Sequence, residues 1–199
     1  ICPIRGGYYP GPEDIRLGND AMIRLARAHA DVFIGCVTVD PRRPEEARGE
    51  IDRALDSGVC RLAKVWVSCR ADSPQMAPVA EHCINRGLPL LIHSFYKRPA
   101  NLQDESTGGH VAALGCRFPE LKILMAHMAM DWERGIKAVR DVPNISVDFS
   151  GSIWQAGADT VRLCMEDAYT DCPWRERAMW WGDARVQFLV NAVAFGDAA

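Results

Sequence analysis

Two histidines and an aspartate occupy equivalent places in this sequence, each directly after a short apolar run. His93 follows Leu-Leu-Ile, His127 follows Leu-Met-Ala, and Asp183 follows Trp-Trp-Gly. An isolated histidine in such a place is more often a hydrogen-bonded structural residue, but three such side chains on different strands could share one ion. Imidazole together with carboxylate suits zinc or another divalent transition metal. The pattern predicts a metal site if the fold brings these residues together.

The rest of the chain alternates between strand-like apolar runs and segments with helical periodicity. Such alternation predicts βαβ units and a parallel sheet, because parallel neighbours need a crossover connection. A doubly wound open sheet would also fit, but its glycine-rich phosphate turn is absent after every predicted strand. We predict strands at residues 32–39, 62–68, 88–94, 122–127, 144–150 and 177–182. Predicted helices begin after an N-cap at Asn19-Asp20 and then cover residues 44–58, 77–86, 110–117, 132–142, 160–169 and 185–195.

An α/β barrel accounts for both patterns. In a (β/α)8 barrel the carboxyl ends of the strands converge on one mouth, where barrel enzymes place their catalytic groups. His93, His127 and Asp183 all lie at such ends. We therefore predict one barrel domain over residues 1–199, although a complete barrel typically needs about 250 residues.

Composition narrows the range of partners. With 23 lysines and arginines against 26 aspartates and glutamates, the net charge is −3. The composition therefore lacks the excess of positive charge that is typical of proteins that bind nucleic acid or an anionic membrane. The eight cysteines include no C-x-x-C pair, and no segment has the pattern of a signal peptide or a spanning helix. We expect a cytoplasmic protein with reduced thiols and a small-molecule substrate. A homo-oligomer is left open.

Four segments resemble the amidohydrolase-related metal-dependent hydrolases. They are FIGCVTVDP at 33–41, GLPLLIH at 87–93, RFPELKILMAH at 117–127 and NISVDFSGS at 144–152. This branch includes aminocarboxymuconate-semialdehyde and resorcylate-type decarboxylases. The resemblance implies a (β/α)8 barrel with a divalent metal, zinc being the metal we favour.

The resemblance also implies roles for individual residues. His93, at the end of the fifth barrel strand, would ligate the metal. His127, at the end of the sixth, would contact the metal-bound water or the substrate. The family's aspartate after the eighth strand is both metal ligand and general base. Asp183 in WWGD is the better match for it, and Asp197 is the rival.

One part of the family pattern is absent from the sequence. The first strand of these proteins ends in a His-x-His pair that supplies two metal ligands, and the chain contains no His-x-His. On this alignment strands 3 to 8 are present, while the first βα unit and most of strand 2 are missing. We therefore expect the chain by itself to hold metal weakly, if at all.

Four further residues are candidates for substrate binding, each with a structural alternative. Lys64 ends the fourth barrel strand and either contacts an anion or points to solvent. Asp131 and Trp132 follow His127 and either line the pocket or cap and pack a helix. Glu105 lies in the long loop after His93, which is either a binding element or a solvated loop.

Three functions are consistent with the sequence. In the first, a metal-activated water attacks a C–N or C–O bond of a small carbonyl substrate, with Asp183 accepting the proton and His127 positioning the water. In the second, the metal anchors an aromatic or unsaturated carboxylic acid that loses carbon dioxide. In the third, the chain is a metal-free binding or structural module.

Overall fold

The computed structural model describes residues 7–97 and 99–150. They form five helices and five strands in regular alternation: α1 Pro12–Ala28, β1 Gly35–Val39, α2 Pro44–Asp56, β2 Cys60–Val65, α3 Ala77–Asn85, β3 Leu90–Ile92, α4 Gly108–Arg117, β4 Ile123–Met125, α5 Trp132–Val139 and β5 Ile145–Val147. Short 3₁₀ turns at Pro74–Met76 and Ala126–Ala129 precede α3 and α5. The predicted elements at 160–169, 177–182 and 185–195 lie outside the described residues.

The five strands form one parallel sheet in chain order, β1-β2-β3-β4-β5. A doubly wound sheet reverses its strand order at a switch point, and this sheet has no reversal in its described part. A run of parallel strands in sequence order is the arrangement of a (β/α)8 barrel, which confirms the predicted fold class. On the barrel numbering these are strands 3 to 7.

Helix α1 begins earlier than the predicted N-cap at Asn19-Asp20. It begins at Pro12, and proline is well tolerated there because the first turn of a helix needs no backbone N–H donor. Glu13 and Asp14 follow in the first turn, where negative charges interact favourably with the helix dipole. Asn19 is therefore not an N-cap. It is buried in the middle of the helix, where its side chain accepts from Thr38 N and donates to Thr38 O, so that it ties α1 to β1.

The first strand is shorter than predicted. Val32 and Ile34 are 68% and 57% exposed, and regular pairing with β2 begins only at Gly35. From there to Val39 every residue is buried, as expected for a strand covered on both faces. The continuous apolar run therefore predicts the strand correctly, but the predicted strand begins too early and includes the preceding turn.

The core lies between the sheet and the helices on its outer side. Its largest fully buried side chains come from both layers, including Met22 of α1, Ile51 of α2, Leu90 of β3 and Leu114 of α4. Gly35 permits this packing, because a Cβ there would overlap Met22 Sδ.

The chain divides into a compact unit at Ile1–Phe149 and a second at Ser150–Ala199, nearly all of which lies outside the described residues. Among the described helices, none is long and apolar enough to cross a membrane.

Candidate active site

The candidate site lies where neighbouring strands β3 and β4 end. His93 directly follows β3, and His127 lies two residues after β4. Because the strands are parallel and paired, Ile92 opposite Met125, both histidines emerge at the same edge of the sheet. Their rings lie edge to face with centroids 5.3 Å apart. Two residues 34 positions apart in the sequence are therefore direct neighbours.

His93 is 4% exposed and is surrounded by aromatic rings. The Trp66 ring centroid lies 4.3 Å from that of His93, and Phe95 stacks on it at 5.4 Å. His93 Nε2 is 2.9 Å from Glu105 Oε1, whereas the buried Nδ1 has no hydrogen-bond partner in the described part of the chain. Nε2 is thus held by Glu105, and Nδ1 is available to bind a ligand.

Burial lowers the pKa of His93 to about 4. The neighbouring His127 and Lys64 contribute to this net fall, and the hydrogen bond to Glu105 opposes it without overcoming it. Near neutral pH the imidazole is therefore uncharged. That is the state in which a histidine nitrogen can bind a metal ion.

Glu105 is buried, and protein groups occupy both of its carboxylate oxygens. Oε1 also accepts from Lys97 Nζ at 2.8 Å, and Oε2 accepts from Leu102 N at 3.2 Å. Burial by itself would raise the pKa of Glu105, but the bonds from Lys97 and His93 outweigh it, and the net pKa lies below the usual value. The carboxyl group is therefore ionised.

The loop that carries Glu105 is anchored to the sheet end. Phe95 N donates to Ser106 O at 2.8 Å, which closes the loop at its base, and Ser106 Oγ accepts from Ala71 N at 2.9 Å. Asn101 adds two bonds inside it, from Lys97 N and to Phe95 O. These contacts make the loop a packed wall of the site.

His127 lies in an unusual backbone segment. His127, Met128, Ala129 and Met130 all have φ between 45° and 67°, the left-handed region that non-glycine residues rarely adopt. Asp148, at the end of β5, holds the segment, because its carboxylate accepts from His127 N and its carbonyl accepts from Met128 N. Clustered strain of this kind is typical of functional sites.

Gly135 in α5 is required by the same turn. A Cβ at this position would overlap the carbonyl oxygen of Met128 and press on Ala129 Cβ. The helix can approach the turn this closely only because residue 135 is glycine. The placement of His127 therefore depends on contacts from both α5 and β5.

Lys64 is 7% exposed and faces the site. Its ammonium lies 5.2 Å from the centre of the Trp66 ring, and no carboxylate of residues 7–97 or 99–150 forms an ion pair with it. A buried ammonium without a counter-charge is costly, so this group is suited to receive an anion. Trp66 Nε1 and Ser68 Oγ are also buried without a partner in the described chain.

The other predicted residues have mixed placements. Asp131 Oδ1 accepts a hydrogen bond from Arg134 N and caps α5, which is the structural role given above as the alternative to substrate binding. Trp132 is 55% exposed. Whether either touches substrate stays a prediction. Asp183 and its rival Asp197 lie outside the described residues.

Sequence reasoning missed the aromatic surroundings of His93. Trp66 lies two positions after Lys64, and strand alternation places residues i and i+2 on one face, so its position could have been predicted. Phe95 and Tyr8 could not, because they come from irregular segments. Tyr8 stacks on Trp66 with centroids 6.1 Å apart.

The arrangement fits a metal ion in part. His93 offers a buried, unprotonated nitrogen with no other use, and His127 lies beside it. No group of three or more histidine, cysteine or acidic residues that could hold an ion occurs within the described ranges. Asp183, the other metal ligand that the sequence predicts, lies outside them.

A sizeable cavity in the described part of the protein lies elsewhere. It has a volume of about 450 Å³ and lies between α1 and α2. Its charged walls are largely paired with one another, Arg43 with Asp40 and Arg53 with Glu50. It has none of the unpartnered polar groups found around His93.

Comparison with known proteins agrees with the barrel fold. The sequence profile of the amidohydrolases matches residues 12–190. An uncharacterized TIM-barrel protein from Bordetella bronchiseptica is similar at 18% identity and a TM-score of 0.55, covering 70% of this chain and 54% of that one. A 5-carboxyvanillate decarboxylase from Novosphingobium aromaticivorans, solved with manganese and 4-hydroxy-3-methoxy-5-nitrobenzoic acid, is similar at 19% identity and a TM-score of 0.51, covering 74% and 45%. The chain thus spans about half the length of these structures. No curated protein matches it significantly.

Proposed function

This chain belongs to the amidohydrolase family, and on that premise we propose that it contributes the active site of a metal-dependent hydrolase acting on a C–N or C–O bond of a small carbonyl substrate. The observation that carries the proposal is the meeting of His93 and His127 at 5.3 Å between ring centroids, at the carboxyl ends of adjacent strands. Barrel enzymes place their chemistry at this edge.

In this proposal His93 and Asp183 hold a divalent ion, with zinc as the first choice. When bound, such an ion lowers the pKa of a water molecule and polarises a carbonyl oxygen. His93 is suited to the task because its free nitrogen is unprotonated near neutral pH and its ring is fixed by Glu105.

His127 and Asp183 have separate catalytic roles in this proposal. His127, held by Asp148, would donate a hydrogen bond to the substrate oxygen as negative charge develops there. Asp183 would accept the proton of the attacking water as general base. Asp197 is the alternative carboxylate for this role.

Substrate binding is assigned to the residues around this pair. The Lys64 ammonium would pair with an anionic group of the substrate, because it is buried and forms no ion pair with a carboxylate of the described residues. Asp131 and Trp132 would line the entrance after the His127 turn.

A second candidate function is decarboxylation of an aromatic or unsaturated carboxylic acid. The combination of Trp66, Phe95 and Tyr8 rings with the Lys64 ammonium favours it, since flat rings stack on aromatic walls and a carboxylate pairs with the cation. The reaction would release carbon dioxide and return a proton to carbon from a protonated acid.

Product analysis separates these functions. The full chain, supplied with zinc or manganese, is incubated with the lactone dihydrocoumarin and with salicylate. Ring opening that His93→Ala and His127→Ala abolish supports the hydrolase, and carbon dioxide release supports the decarboxylase. His82→Ala is the control, because His82 pairs with Asp52 on the outer helices. Absence of both turnover and metal binding would support the metal-free module.

A further inference from the structure

We propose that Glu105 is a positioning residue that holds His93 in the Nε2–H tautomer, so that the unprotonated Nδ1 is the nitrogen presented to the site. Only the last step, the use of Nδ1 as a metal ligand, rests on the proposed function. The tautomer itself is a property of the protein alone.

The hydrogen bond between the two residues fixes where the proton lies. A carboxylate can only accept, and Glu105 Oε1 is 2.9 Å from His93 Nε2. Nε2 must therefore carry the hydrogen, and in a neutral imidazole Nδ1 then carries the lone pair. Placing the hydrogen on Nδ1 would set the Nε2 lone pair against an anionic oxygen.

The surroundings of Nδ1 favour the same tautomer. This atom is buried and has no acceptor within the described residues. A hydrogen there would be a buried donor without a partner, which proteins avoid. Both ring nitrogens thus favour a hydrogen on Nε2.

Lys97 holds the carboxylate in its place. Its ammonium is 2.8 Å from the same oxygen that accepts from His93, and it lies 5.0 Å and 5.4 Å from the ring centres of Tyr8 and Phe95. The Glu105 side chain is fully buried, and Leu102 N bonds its second oxygen. The carboxylate therefore has little freedom to turn away from the imidazole.

This arrangement suits a metal-ligating histidine. Such residues usually donate their second ring N–H to a carboxylate or carbonyl group, which sets the tautomer and the ring orientation. Removing the partner typically lowers metal affinity by about 10- to 100-fold. In this chain Glu105 provides that partner from the loop that follows the ligand's own strand.

The tautomer can be read directly by NMR. In two-bond ¹H–¹⁵N correlation spectra of the full chain labelled at histidine and free of metal, we expect the Nε2 resonance of His93 to be that of a protonated nitrogen and the Nδ1 resonance that of an unprotonated one. His93→Gln identifies the signals. A protonated Nδ1 in the wild type would overturn the proposal, and this result requires no variant of Glu105 to fold.

Two substitutions separate positioning from packing. Glu105→Ala removes the acceptor and should yield a mixture of tautomers. Glu105→Gln can keep an oxygen facing Nε2 and Lys97 while losing the bond from Leu102 N, and should preserve the Nε2–H tautomer. Asp104→Ala is the control, because this neighbouring carboxylate makes no hydrogen bond or ion pair within the described chain. Pure Nε2–H tautomer in a folded Glu105→Ala protein would contradict the proposal.

Zinc titration tests the final step independently. Affinity should fall by about 10- to 100-fold in Glu105→Ala and remain close to wild type in Asp104→Ala. If the wild-type chain binds no zinc while its tautomer is as expected, the metal assignment fails and the positioning role stands. If zinc binds equally to all variants, Glu105 does not prepare the ligand.

Discussion

Replacing Lys64 by methionine should make the protein more stable and less able to bind an anion. The lysine is 7% exposed and has no ion pair among the described residues. Burying a charge costs several kcal/mol, of which the contact with the Trp66 ring returns about 1–2 kcal/mol. Methionine fills a similar volume without charge, so we expect a net gain of about 2 kcal/mol. For a chain of this size that corresponds to a rise in Tm of about 4–8 °C.

The assay combines thermal unfolding with calorimetric titration of salicylate as a model aromatic carboxylate. Wild-type protein should bind salicylate, and Lys64→Met should bind it at least about tenfold more weakly, the loss of one charge-assisted contact. Lys122→Met, at an exposed position before β4, should change neither quantity. A Lys64→Met protein that is less stable and binds salicylate normally would show that the ammonium is already satisfied within the protein, and would refute the reasoning.

Three further outcomes are expected. In metal-free protein the free energy of unfolding should fall by about 3 kcal/mol as pH drops from 6.5 to about 4, because the unfolded chain binds a proton at His93 that the folded protein does not bind until its lower pKa is reached. Denaturant titrations across this range should show that the free energy of unfolding depends less on pH in His93→Gln. The same pH dependence in both proteins would contradict the burial argument. Gly135→Ala should lower the free energy of unfolding by about 1–3 kcal/mol, since its Cβ would overlap the left-handed turn, while Gly109→Ala, which meets only ordinary contacts, should have little effect. Iodoacetamide followed by peptide mass spectrometry should modify exposed Cys116 well before Cys83, whose pKa burial raises to about 12; equal labelling would show that the fold opens around α3.

Much of the fold could be predicted from the sequence because parallel strands buried on both faces are continuous apolar runs. The predicted bounds were wrong where apolar residues precede a strand without being buried, as at Val32 and Ile34, and where a polar residue is buried inside a helix, as at Asn19. Neither case has a local signal, since the burial of each is decided by contacts with distant elements.

The site was predictable in part for the same reason. Strand ends located His93 and His127, and parallel pairing brings them together. The bond between His93 and Glu105, which are 12 positions apart, depends on the path of the loop after β3, and sequence patterns do not specify that path. The left-handed turn at His127 could not be predicted either, because its residues are not glycine and nothing in their types indicates a positive φ.

The central claim is that His93 and Asp183 bind one divalent ion between them. Calorimetric titration of zinc into the full chain tests it most directly, with His93→Ala and Asp183→Ala compared against His82→Ala, whose imidazole contacts Asp52. Because the family's His-x-His ligands are absent from the chain, the account predicts weak binding of one ion per chain, lost in the first two variants and retained in the third. Binding that survives both substitutions, or that is absent from the unmodified chain, would contradict it.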